Sequence, residues 1–205
     1  MKKYLIAAVC LFLSLSFSAC DSGNKEEVGG NTAEVASDSM LTEEHQEHMM
    51  TVARYIMLQK ELARLALEKS ETQNAKAYGQ DLMNWANTKQ SELQEMAQTY
   101  GVTLPQQMED SQTKHIDDIA EVEAKNYKYD EELWDTIKDA QRDAVEDFDK
   151  ALNDVDEASG TAYTLWLRNT TKELRAHLEQ AAAYDLELKN REGGISEQIV
   201  EDINN

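Results

Sequence analysis

From Thr42 onward the apolar residues of the chain return every three or four positions, the period that gathers them on one face of a helix. Met49, Val52, Ile56, Ala63 and Ala66 form a first stripe, widened by Leu58, Leu62 and Leu65. It predicts a helix over about 43–69, opened by Thr42 as cap, with Glu43 and Glu44 at the positive end of its first turn. A second stripe of Ala75, Tyr78, Leu82, Trp85, Ala86, Leu93, Met96 and Tyr100 predicts a helix over 72–100. Gly101 is its stop signal, and Pro105 opens the next segment. Met108, Ile116, Ile119 and Val122 mark a shorter helix over 106–125, followed by a loop at 126–129. Asp130 is the expected cap of a helix reaching Asp156, carrying Leu133, Ile137, Gln141, Ala144, Phe148, Ala151 and Val155. After a break at Ser159-Gly160, a last helix over 161–189 shows Tyr163, Trp166, Thr170, Leu174, His177, Ala181, Tyr184 and Leu188. Gly193-Gly194 is expected to end it, leaving 190–205 as a polar tail.

Four of these helices have roughly 25 to 29 residues, each about 40 Å long at 1.5 Å per residue. Their stripes require one shared core. Short joints pair the first with the second and the last two with each other, and the 101–130 segment is long enough to cross between the pairs. The expected fold is therefore all-α: a ferritin-like four-helix bundle over 42–189, with a helical crossover between two antiparallel hairpins.

The first 41 residues do not follow the helical period. Lys2 and Lys3 precede an apolar run from Tyr4 to Phe17, the layout of a signal peptide over 1–19 and shorter than the ~20 apolar residues of a membrane span. The run closes on Phe17-Ser18-Ala19-Cys20, which resembles the lipobox of bacterial lipoproteins, with Phe17 where that motif usually has Leu. The resemblance implies cleavage before Cys20 and acylation there, palmitate included. Several acyl chains anchor firmly, at ~0.8 kcal/mol per buried methylene. Cys10 would leave with the leader, so the mature chain would hold no free thiol. Residues 20–41 carry Gly, Ser, Asn and acid without an aromatic residue, the composition of a flexible tether. Lys25-Glu26-Glu27 resembles a surface-export signal, and Asp38-Ser39-Met40 an O-glycosylation sequon at Ser39. Any acidic tether would also contain such short patterns.

Acidic residues outnumber basic ones 40 to 20, for a formal charge of −20. Phosphate-backbone recognition needs the opposite sign, so a nucleic acid is excluded as the expected partner. The plain reading of the charge is solubility. With 8 glycines and one proline, the composition agrees with long helices.

Three blocks of the bundle resemble a ferritin-like family of bacterial envelope proteins of unknown function, described as outer membrane proteins. They are ELARLALEKS at 61–70, followed by Ala75-Lys76 and Tyr78-Gly79; GVTLP at 101–105; and LRAHLEQA at 174–181. The resemblance spans about Thr51 to Leu188. It implies a fold and an address in the cell envelope, in the outer membrane and facing the periplasm or the surface, and it implies no reaction. Two positions depart from it. Asn87 stands where the family has a histidine, and a second family histidine falls near Gln141, so of the three only His177 remains.

A di-metal centre in such a bundle needs carboxylates from two helices and Glu-x-x-His from each of the other two. Residues 42, 45, 112 and 174, three before each histidine, are Thr, His, Gln and Leu, so that centre is not expected. EEHQEHMM at 43–50 offers a weaker alternative. His45 and His48 lie three apart, and Glu44 and His48 four apart, on one helical face with Glu47 near, as a divalent metal would need. The plain reading is a solvated first turn. His177, with Glu173 one turn earlier, reads either as a lone ligand or as a buried histidine bonded across the bundle to Gln141 or a carboxylate. Trp85, Trp134 and Trp166 read as packing. No nucleophile elbow and no phosphate loop occurs. The expectation is a non-enzymatic structural or interaction module, without cofactor, held to a membrane by lipid and meeting an envelope protein partner; the alternative is a metal-binding or redox protein.

Overall fold

The computed structural model describes residues 41–154 and 162–203, with side chains to Arg191. The leader, Cys20, Ser39, the tether and the Ser159-Gly160 break lie outside the described residues. Five helices follow one another: α1 (Glu43–Lys69), α2 (Gln73–Tyr100), α3 (Asp110–Ala120), α4 (Lys128–Asp154) and α5 (Ala162–Ile203).

α1 packs on α2 and α4, α5 packs on α4 and α2, and α3 lies against α1 and α4. Contacts fix the directions. Lys60 meets Gln90 and Ala66 meets Gly79, Tyr55 meets Asp147 and Gln59 meets Gln141, Trp85 meets Glu173 and Asn74 meets Glu187, and Lys138 meets Asp185 and Asp149 meets Arg175, so each neighbouring pair is antiparallel. α2 and α4 therefore run the same way, and residues 101–127 carry the chain back along the bundle between them. The all-α bundle of two antiparallel hairpins joined by a helical crossover, expected from the sequence, is the observed architecture.

The caps follow ordinary helix chemistry. The Thr42 and Thr72 hydroxyls accept the N–H of His45 and Ala75, each satisfying an orphan donor of a first turn. Gly101 takes φ 70°, Val102 N–H returns to Ala97 O at 2.8 Å and Gly101 N–H to Gln98 O at 3.3 Å. That is the Schellman closure a left-handed glycine permits. Gly79 has a different role, because a Cβ there would lie 2.7 Å from Ala66 Cβ and 3.0 Å from Ala63 O. The missing side chain lets α1 and α2 touch, so the ELARLALEKS block and the Tyr78-Gly79 pair meet in space.

Three boundaries differ from those the sequence predicts. α3 is Asp110–Ala120, not 106–125, because Lys69 Nζ donates to the Ala120 and Val122 carbonyls and closes the helix there. α4 begins at Lys128, and Asp130 sits within its first turn. Its carboxylate accepts Glu71 N–H at 3.0 Å and Thr72 N–H at 2.8 Å, so it caps the α1–α2 joint and not its own helix. α5 continues through Gly193-Gly194 to Ile203. Two glycines cost a helix about 1 kcal/mol each, and Ile195, Ile199 and Ile203 keep the helical spacing beyond them.

The core falls into two halves. One holds Leu58, Leu62, Leu82, Tyr129, Trp134, Ile137 and Leu188; the other holds Met49, Ile56, Leu93, Phe148, Tyr163 and Leu174. Burial of such side chains, at about 1.5–3 kcal/mol for each large one, is the main force holding the four helices together.

Candidate functional site

A polar layer lies where the two halves of the core meet. Gln59 of α1 and Gln141 of α4 are fully buried. Gln141 Nε2 donates to Gln59 Oε1 at 3.0 Å and to the Tyr78 hydroxyl at 2.7 Å. Tyr78 in turn donates to the His177 carbonyl at 3.2 Å. One chain of hydrogen bonds thus links all four long helices. Buried polar groups need such partners; the chain supplies them in part, since Gln59 Nε2 and Gln141 Oε1 are buried without one.

The His177 ring stands edge-on to Tyr78 and Trp85, at centroid distances of 5.9 and 5.5 Å. Its Nδ1 is buried without a partner. Burial lowers the pKa of His177, against the opposing pull of Asp81 and Glu173, so the imidazole stays neutral. Contrary to the expectation from sequence, Gln141 does not bond to the His177 ring; the two are linked through Tyr78 and the His177 backbone. Gln59 and Tyr78 were not singled out as polar partners by the sequence. The one signal was a glutamine on the stripe between Ile56 and Leu62.

On the α2–α5 seam, Lys89 Nζ lies 3.0 Å from both Glu92 and Glu173. The same two carboxylates accept the indole N–H groups of Trp166 and Trp85. The tryptophans are therefore packing residues with satisfied polar tips. Burial works to raise the pKa of Glu92, and the bonds from Trp166 and Lys89 outweigh it and hold the carboxyl below its usual range.

The α1 histidines diverge. His45 turns into the bundle, its Nδ1 2.6 Å from Thr42 Oγ1 and its ring edge-on to Tyr163. Burial and the neighbouring His48 lower its pKa, and Glu44 partly offsets them. His48, one turn on, stays half-buried beside Glu44, and Asp154 at the end of α4 reaches the same spot. One donor atom from each of Glu44, His48 and Asp154 lies within 4.8 Å of the others, the one such three-residue group among the described residues. His48 Nε2 is buried without a partner. Beside it opens a cavity of about 240 Å³, walled by Glu47, His48, Asp147 and Lys150 among others. Sequence reasoning found the α1 half of this group and missed Asp154, which lies 106 positions from His48 and comes near only through the antiparallel α1–α4 packing.

A family model, described as a domain of unknown function (DUF4142), matches residues 30–184. The chain belongs to the DUF4142 family. That span covers α1 to α4 and α5 as far as Tyr184, and with them every residue of the polar layer and of the Glu44–His48–Asp154 group. No curated protein and no solved structure matches the chain. No helix among the described residues is long and apolar enough to cross a membrane.

Proposed function

We propose that this DUF4142 protein is a lipoprotein of the bacterial cell envelope, cleaved before Cys20, acylated there, and held by its lipid on the outer membrane. The tether carries a ferritin-like bundle that acts as a non-enzymatic structural or interaction module toward an envelope protein partner. The leader supports the address: two lysines, an apolar run and a small residue before Cys20. The acidic tether and surface suit a domain that stands off a membrane without adhering to anionic headgroups. Ser39, in the tether, is the position such an address would open to O-glycosylation.

The observation that carries the non-enzymatic reading is the content of the polar layer. Where a ferritin-like bundle would gather carboxylates and histidines for a di-metal centre, this core holds two amides and a phenol bonded to one another, with a single neutral imidazole beside them. These groups orient helices and offer no nucleophile and no paired acid and base. A metal-binding role finds its support at the bundle end, in Glu44, His48 and Asp154.

Cell fractionation of the Cys20→Ala variant tests the anchor. The intact chain should sediment with membranes and incorporate labelled palmitate, and the variant should move to the soluble fraction unlabelled. A variant that stays with the membrane would end the lipoprotein reading.

A further inference from the structure

We propose that Glu44, His48 and Asp154 form a binding site for one divalent transition-metal ion, with zinc the best fit, that ties the start of α1 to the end of α4. The donors are one imidazole and two carboxylates, a set that suits zinc or a neighbouring first-row ion better than calcium or magnesium. Glu44 and His48 are four residues apart and so share a face of α1; Asp154 closes the triangle from a different helix. Their donor atoms lie within 4.8 Å of one another, whereas ligands of a tetrahedral zinc ion sit about 3.4 Å apart, given bonds of 2.0–2.1 Å. Glu44 and Asp154 are exposed, and rotation of their side chains covers the difference.

A second observation points the same way. His48 Nε2 is buried and has no hydrogen-bond partner, an arrangement that leaves a ring nitrogen unsatisfied until something coordinates or donates to it. Neither Glu44 nor Asp154 has an ion-pair partner among the described residues. The carbonyl end of α4 favours a cation. The amide end of α1 opposes it, and Glu43 and Glu47 offset that field. Lys150, on the wall of the adjoining cavity, works against a cation. Three protein donors leave at least one coordination position for water or for a donor from a partner. The site lies away from the polar layer and does not depend on the lipid anchor.

The test is calorimetric titration of the full chain, stripped with chelator and dialysed, with Zn²⁺ alone, and with Co²⁺ for its visible absorption. One equivalent should bind. His48→Gln and Asp154→Asn should each weaken binding by roughly tenfold or more, as loss of one donor of three requires. Glu44→Gln should do the same, Lys150→Gln should tighten binding, and His115→Ala, whose imidazole is exposed on α3, should change nothing. Circular dichroism should show the same helix content throughout, because the three ligand positions are not core residues. Absence of binding at micromolar Zn²⁺, or binding that survives both His48→Gln and Asp154→Asn, would overturn the proposal.

Discussion

The two ends of the bundle solve the same problem by different means. At the end where α1 turns into α2, the backbone is clasped by charge. Asp130 of α4 accepts two amides of the joint, and Glu71 of the joint accepts Tyr127 N–H in return at 2.8 Å. Asn126 and Tyr127 hold φ of 54° and 59° to make this possible, a left-handed conformation that non-glycine residues adopt at some expense. Lys69 closes α3 and lies over the Tyr129 ring at 4.9 Å. Asp185 adds ion pairs to Lys138 and Lys189. At the opposite end, α1 starts and α4 stops beside a cavity, and two imidazole nitrogens, His45 Nε2 and His48 Nε2, are buried without partners. The clasped end also leaves polar atoms unpaired, in Ser70, Tyr129 and Asp185, but these are hydroxyls and one oxygen of a carboxylate already paired through the other. The difference is that one end is clasped by charged groups of the chain itself, while the other presents ligand groups.

The largest expected effect breaks the clasped end. Asp130→Ala removes a buried charged acceptor from two part-buried amides of the α1–α2 joint, and urea unfolding should report a loss of about 3 kcal/mol. Asp154→Asn, its counterpart at the far end, should change the stability of the metal-free chain by no more than about 0.5 kcal/mol, as exposed positions do. Equal effects would erase the contrast. Gly79→Ala should come next. Alanine favours a helix by about 1 kcal/mol, but contacts of 2.7 and 3.0 Å with a methyl and a backbone oxygen force α1 and α2 apart at about 1–3 kcal/mol. A net loss of about 1 kcal/mol should appear in the thermal midpoint, and a gain would mean that the helices part freely. Tyr78→Phe should remove about 1 kcal/mol, since Gln141 Nε2 loses one of its two acceptors while keeping Gln59, and the His177 carbonyl loses a side-chain donor.

The smallest effect is the dependence on pH. Burial depresses the folded pKa of His177 below 6.5, so the unfolded chain binds the proton first as pH falls. Stability from this group is full above pH 6.5 and declines below it. Thermal midpoints taken from pH 7.5 to 5 should fall, and His177→Gln should flatten part of that slope. An unchanged slope would place the imidazole in water.

The helices were legible because their apolar stripes repeat every three or four residues, a local property. Gly101 was legible for the same reason: a stop needs only its own backbone. Asp130 was not. Its acidic side chain before a stripe reads as a cap for α4, and only the packed structure brings the α1–α2 amides to it. Gly193-Gly194 misled in the other direction, since glycine lowers helix stability without forbidding the conformation. The candidate site divides in the same way. Glu44 and His48 share a helix and can be found by counting, whereas Asp154 belongs to the site only after α1 and α4 have packed.

Hydrogen exchange followed by mass spectrometry, with and without Zn²⁺, compares the two ends in one experiment. Amides of residues 70–75 and 128–133 should exchange slowly whatever the metal. Those of 44–50 and 148–154 should exchange faster in the stripped chain and slow when Zn²⁺ is added, with the slowing lost in His48→Gln. Uniform protection at both ends without metal, or no slowing with it, would contradict an account in which one end is clasped by the chain's own charges and the other awaits an ion.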